Sequence, residues 1–186
     1  MANDIPFRQG TEIVWRGWGV RDYDLTLNQL PNNAGRCGDK ADLGVCANNT
    51  IPRRFAVILT TEANDAPTAG LTIEIYWAAS HDNERFPGGA AGVDSFYKSG
   101  EEDEWKKQLQ LIGCLVVTNN AAVLDGSSSS SGEPENAPGI QRQVFAFTPI
   151  LRYGCPVIIN KCGQSLEDDD LVHELRFIAA VDQQQD

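Results

Sequence analysis

Apolar and polar side chains alternate along much of this chain, most clearly in Leu71-Thr72-Ile73-Glu74-Ile75-Tyr76-Trp77. Neighbouring side chains on an extended strand point to opposite faces, so Leu71, Ile73, Ile75 and Trp77 share one side. The same period groups Phe55, Val57 and Leu59, and it sets Phe145 and Phe147 against Val144 and Ala146. It also sets Leu175, Phe177 and Ala179 against Glu174 and Arg176. Strands are predicted over residues 12–18, 21–27, 55–61, 71–79, 109–118, 143–150, 156–160 and 173–180, with Gly, Pro, Asn and Asp between them. Eight such segments without recurrent amphipathic helices predict an all-β fold. The architecture expected is an antiparallel jelly-roll-like β-sandwich with long loops and one short helix.

The helix is placed by Ser99-Gly100-Glu101-Glu102, which fits a capping box with Ser99 as N-cap. Acidic residues from Glu101 to Glu104 precede Lys106 and Lys107, the order a helix dipole favours. Trp105, Leu109 and Ile112 would then form an inward stripe. Residues 1–11 read as an amino-terminal arm and 12–186 as a single sandwich domain. Within it, 28–54 reads as a long loop insertion and 126–139, with its serine run, as a flexible hairpin loop.

Composition adds bounds to this picture. A chain of 186 residues, 41% hydrophobic, is long enough for one packed domain. The 26 acidic residues outnumber 15 basic ones, a net charge of −11. That balance opposes binding to nucleic acid or to an anionic membrane, both of which need clustered Lys and Arg. No apolar run approaches the roughly 18 residues of a membrane-spanning helix. The start, Met1-Ala2-Asn3-Asp4-Ile5-Pro6, lacks a basic stretch followed by an apolar one, so synthesis in the cytoplasm is expected. Cys114 sits in an apolar segment and reads as a small buried hydrophobe. The Cys37/Cys46 and Cys155/Cys162 spacings do not match a zinc site. Either pair could bridge geometrically, but a reducing cytoplasm favours free thiols.

The search for chemistry is short. None of the G-x-S-x-G, P-loop, H-E-x-x-H, C-x-x-C or EF-hand patterns occurs. His81-Asp82-Asn83-Glu84-Arg85 reads as a polar turn after a strand, and His173 as a residue satisfying a local carbonyl or carboxylate. Glu167-Asp168-Asp169-Asp170 is the best calcium candidate, yet it lacks the alternating spacing of a calcium loop. No catalytic residue, metal ligand or cofactor is therefore predicted, and no enzymatic activity. Trp15, Trp18, Trp77 and Tyr76 could instead form an aromatic platform for sugar. Trp15 and Trp18 are three positions apart, so on an unbroken strand at most one is core and the other is exposed, at an interface or under a loop.

Several segments, in order, carry a resemblance. They are Ala66-Pro67-Thr68-Ala69-Gly70-Leu71 leading to Glu74-Ile75-Tyr76-Trp77-Ala78; Pro87-Gly88-Gly89 with Gly92-Val93-Asp94; and Lys107-Gln108-Leu109 with Ile112-Gly113 and Leu115-Val116-Val117. Further along come Phe147-Thr148-Pro149 with Arg152-Tyr153-Gly154, and Val157-Ile158-Ile159-Asn160 with Gly163-Gln164-Ser165-Leu166. Over roughly residues 55–182 the chain resembles small virion structural proteins of tailed bacteriophages. The resemblance implies a particle-associated sandwich and not an enzyme. Proteins of this class often decorate the capsid exterior as cement proteins that bind the assembled major capsid protein, commonly as homotrimers. Others sit at the neck or tail. Independently of the resemblance, apolar character in the arm, the Trp15–Trp18 region and the long loop points to Ile5, Phe7, Trp15, Trp18, Leu30 and Leu43 as partner contacts. A host-carbohydrate-binding module is the alternative reading.

Overall fold

The computed structural model describes residues 8–44, 54–97, 101–118 and 139–181. Ile5, Phe7, Cys46, the Ser99 cap and the serine run lie outside the described residues. In chain order the strands are β1 (Arg8–Arg16), β2 (Tyr23–Asp24), β3 (Ala34–Cys37), β4 (Ala41–Asp42), β5 (Arg54–Thr61) and β6 (Thr72–Ser80). They continue with β7 (Ser95–Tyr97), β8 (Gln110–Val116), β9 (Gln141–Phe147), β10 (Tyr153–Lys161) and β11 (Glu174–Val181). The helix α1 (Glu102–Trp105) is a single turn that tightens into a 3-10 turn over Lys106–Gln108.

Sheet A has the order β2-β1-β11-β5-β9 and sheet B the order β7-β3-β10-β6-β8, with β4 also on β10. Among the eight longer or central strands, the first pairs with the last, β3 with β10, β5 with β9, and β6 with β8. This nesting is a long hairpin rolled into two layers, the jelly-roll order. The expected all-β sandwich is the fold.

Phe177 on β11 is the hub of the core between the sheets. Its ring centroid lies 4.9 Å from Trp15, 5.4 Å from Trp77, 5.8 Å from Phe55 and 5.7 Å from Phe147. Gly154 is needed beside this cluster, because a Cβ there would stand 2.3 Å from the Trp77 ring. Pro156 lies within the central strand β10, where a missing N–H is normally costly. Its carbonyl accepts from Gly38 N at 2.9 Å, so its nitrogen faces the interruption between β3 and β4. No ladder donor is lost there.

Three expectations change. The 28–54 insertion supplies β3 and β4 and buries Leu30 and Leu43 in the main core. The strand predicted over 21–27 keeps only two ladder residues, while Leu25 and Leu27 are buried without strand pairing. The Trp105–Leu109–Ile112 stripe is split: Trp105 and Leu109 pack on the outside of sheet B, and Ile112 enters the core between the sheets.

Candidate interaction surface

The two sheets treat their outer faces differently. Outside sheet B lies a second apolar cluster of Cys37, Tyr76, Ala78, Tyr97, Cys155, Val157 and Ile159. The segment after β6 folds back over it, laying Phe86, Ala90, Trp105 and Leu109 on top. The Tyr97 hydroxyl donates to Gly88 O at 2.7 Å beneath this cover. Ion pairs clamp the helical turn in place. Lys106 Nζ lies 2.7 Å from Glu74 and 2.8 Å from Asp103, and Lys161 donates to Asp103 at 2.5 Å. Hydrogen bonds from the two lysines pull the Asp103 carboxyl down to about 2. Burial, with Glu74 beside it, pushes the Tyr76 phenol up to about 12.

A polar knot ties the loops at one margin of sheet B. Asp94 accepts from Arg36 Nε at 2.6 Å, from the Thr26 hydroxyl at 2.6 Å and from Thr26 N at 3.1 Å. Burial would raise the Asp94 pKa, but these bonds outweigh it and hold the carboxyl below its ordinary value. Asp39 completes the knot by accepting from the backbone of Asp24 and Asp94, while its own carbonyl takes the Trp15 indole N–H at 2.9 Å.

Among the described residues, nothing is laid over the outside of sheet A. Its outward row across β5 and β9 pairs Ile58 with Val144 and Ala56 with Ala146, and Ile178 of β11 lies opposite Ala56. Val144 is 60% exposed, and no described helix forms a layer over this face. Towards β1 the charges satisfy one another: Arg176 binds both Glu12, at 2.8 Å, and Glu174, and Arg16 lies 3.3 Å from Glu174. Arg54 and Arg142, both exposed at opposite ends of the apolar block, have no ion pair among the described residues.

A third feature is the tip between β1 and β2. Trp18 is 64% and Val20 92% exposed. The tip is braced, since Asp22 N bonds Val14 O at 2.9 Å and Val14 N donates to the Asp22 carboxylate at 2.8 Å. Arg16 Nη2 reaches the carbonyl of Leu171, itself half exposed, at 2.8 Å. Gly17 lies close to the Asp170 carboxylate, which would have to swing aside for a Cβ, 2.4 Å away, to fit.

Of the predicted contact residues, Trp18 is exposed. Trp15, Leu30 and Leu43 are correctly apolar but wrongly placed at a surface, because all three are buried in the main core. The sugar platform dissolves for the same reason, with Trp15, Trp77 and Tyr76 buried and Trp18 alone at the surface. His81 stands exposed beside Asp82, whereas His173 is buried between the Thr61 hydroxyl and the Glu167 carbonyl, each at 2.9 Å. Burial lowers the His173 pKa. Among the described residues no group of His, Cys, Asp and Glu is arranged to hold a metal ion. The four described cysteines are free thiols, as expected of a reducing cytoplasm, and the close contact is between Cys37 and Cys155, whose sulfurs meet at 3.5 Å. Their mutual hydrogen bond and burial push the Cys155 thiol up.

The bare face was missed by alternation alone. Its signal is present in the unbroken apolar run of 55–59 and in Val144 and Ala146, where a solvated face calls for polar residues. Compared with known proteins, the chain matches no family model, no curated sequence and no solved structure.

Proposed function

We propose that this protein is a structural virion component, a capsid decoration or cement protein that binds the assembled major capsid shell and stabilises it. The observation that carries the reading is the braced, exposed tip of Trp18, Val20 and Leu171 on a jelly roll. An aromatic held outward at the end of a rigid sandwich loses little conformational freedom on docking, and such residues dominate interface energetics. Jelly rolls also serve as lectins and cupins, so the fold supports this reading by analogy only.

A protein that binds only the intact lattice stabilises it by mass action, and contacts across several subunits multiply the effect. The net charge of −11 keeps free copies apart before they reach the shell. Antibody labelling and quantitative mass spectrometry of purified particles test the proposal. Label on the shell exterior, with a copy number that tracks the shell subunit, supports it. A copy number of one small ring moves the protein to the neck or tail, and its absence from particles overturns the reading.

A further inference from the structure

We propose that the outer face of sheet A is a docking surface for a different protein. That protein would meet Ile58, Val144 and Ile178 with apolar side chains and bring carboxylates to Arg54 and Arg142. The inference rests on the shell-binding reading only for the partner's identity, not for the surface or its chemistry.

On the outside of an antiparallel sheet, side chains facing water are normally polar. Here exposed Val144 stands directly across from half-buried Ile58, and half-buried Ala56 lies between exposed Ala146 and half-buried Ile178. Cross-strand neighbours of this kind form one contiguous block and not isolated exposed residues. Contiguous apolar surface rimmed by charge marks interaction sites on folded proteins.

The flanking charges decide what covers this block. On the β1–β11 side, Glu12 and Glu174 are balanced by Arg16 and Arg176. On the β5–β9 side, Arg54 and Arg142 are left without carboxylates among the described residues, in a chain of net charge −11. Arg142 lies opposite Thr60, six positions from Arg54 along β5. The rise per strand residue puts the two backbone positions about 20 Å apart, one at each end of the stripe. A second copy packing this face on its own would gather four unmatched arginines and offer no acid to them. A foreign acidic surface has the complementary charge, and paired arginines at an interface fix register as well as affinity.

The mode is face docking and not strand addition. Strand β8 runs beside the free edge of β9, where Gln143 accepts from Val116 N at 3.4 Å. Beyond it, Gln141 accepts from Thr118 N and donates to Thr118 O at 3.0 Å. An incoming strand would have to displace these contacts.

The test replaces Val144 with the photo-crosslinking residue p-benzoylphenylalanine in the full chain, expressed in its native cells. A control carries the same probe at Val93, which is exposed in the segment beside sheet B. The expected result is an adduct at position 144 to one other protein, identified by mass spectrometry as a peptide with Asp or Glu flanking apolar residues. The Arg54→Glu/Arg142→Glu double variant should lower that yield by at least about tenfold while melting at the same temperature. An adduct to this chain's own sequence overturns the proposal, as does equal labelling from Val93, insensitivity to charge reversal, or no adduct at 144. If the captured protein forms no lattice, the surface assignment stands and the shell reading fails. If particles carry the chain but position 144 stays unlabelled, the reverse holds.

Discussion

The outer faces of the two sheets both carry apolar side chains and end differently. Sheet B presents Tyr76, Ala78, Val157 and Ile159 outward, and the chain folds Phe86, Trp105 and Leu109 over them. Sheet A presents Ala56, Ile58, Val144, Ala146 and Ile178 outward, and no described element covers them. An apolar outer face thus has two uses within one molecule. On sheet B it holds the fold together, and on sheet A the described residues leave it without a cover.

The sharpest way to break this comparison is to place one charge on each face. Val157→Asp buries an unpaired carboxylate under the cover, and it should cost at least about 4 kcal/mol, enough to abolish folding at moderate temperature. Val144→Asp stays in water and should shift stability by no more than about 0.5 kcal/mol. Urea unfolding of both variants measures the difference. Similar losses at the two positions would mean that sheet A is covered after all.

Next in size is Arg36→Gln. Arg36 binds Asp94 at 2.6 Å and stacks over Phe96 with its guanidinium carbon 5.1 Å from the ring centroid. Its loss leaves a partly desolvated carboxylate, at a cost of about 1.5–3 kcal/mol. The Asp94 carboxyl should titrate higher in the variant, which NMR can follow. An unchanged urea midpoint would show that the knot contributes nothing to holding the sheet B margin.

These contrasts also show what could be read from residues alone. Two-residue alternation located the strands whose inner faces hold Phe55, Ile73, Phe147 and Phe177, because each meets a dry core on one side. Trp15 is inside and Trp18 exposed, but β1 ends at Arg16, so it is the end of the strand and not the alternation that separates them. Alternation failed for β3, β4 and β7, whose two to four residues are too few to show a period. Leu30 and Leu43 lay among glycines and asparagines that look like a surface loop. Distant partners hold them: the Asn160 side-chain amide donates to Leu30 O at 2.9 Å from 130 residues away, and Leu43 N donates to Arg152 O at 3.0 Å. Such tertiary contacts leave no local pattern. The bare face was legible only as an absence of polar partners in β5 and β9.

Acid should separate the two sheets. His173 anchors the start of β11 to Thr61 of β5, so it guards an end of sheet A. Burial lowers its pKa from the ordinary 6.5. Between the folded and unfolded values the unfolded chain holds the extra proton, so stability falls as pH drops below about 6.5. Asp94 at the margin of sheet B also has a lowered pKa, but from an ordinary 3.8. Its contribution persists until pH falls below that value. Hydrogen exchange at pH 7 and pH 5.5 should therefore show β11 and β5 loosening first, and His173→Gln should remove most of the difference. Equal loosening of β10 and β6 would count against this order.

The smallest effect is the most informative about purpose. Arg142→Gln removes a guanidinium that pairs with nothing described, so the melting temperature should stay unchanged within the scatter of surface substitutions, about 0.5 kcal/mol. Arg54→Gln should behave the same way. An exposed arginine that adds nothing to the fold is free to pair with a carboxylate from outside the molecule, as the docking proposal requires. If either variant instead lowers stability by more than about 1 kcal/mol, that arginine already has an intramolecular carboxylate. The charge complementarity that selects a foreign acidic partner would then be lost, leaving only the apolar block on sheet A to be explained.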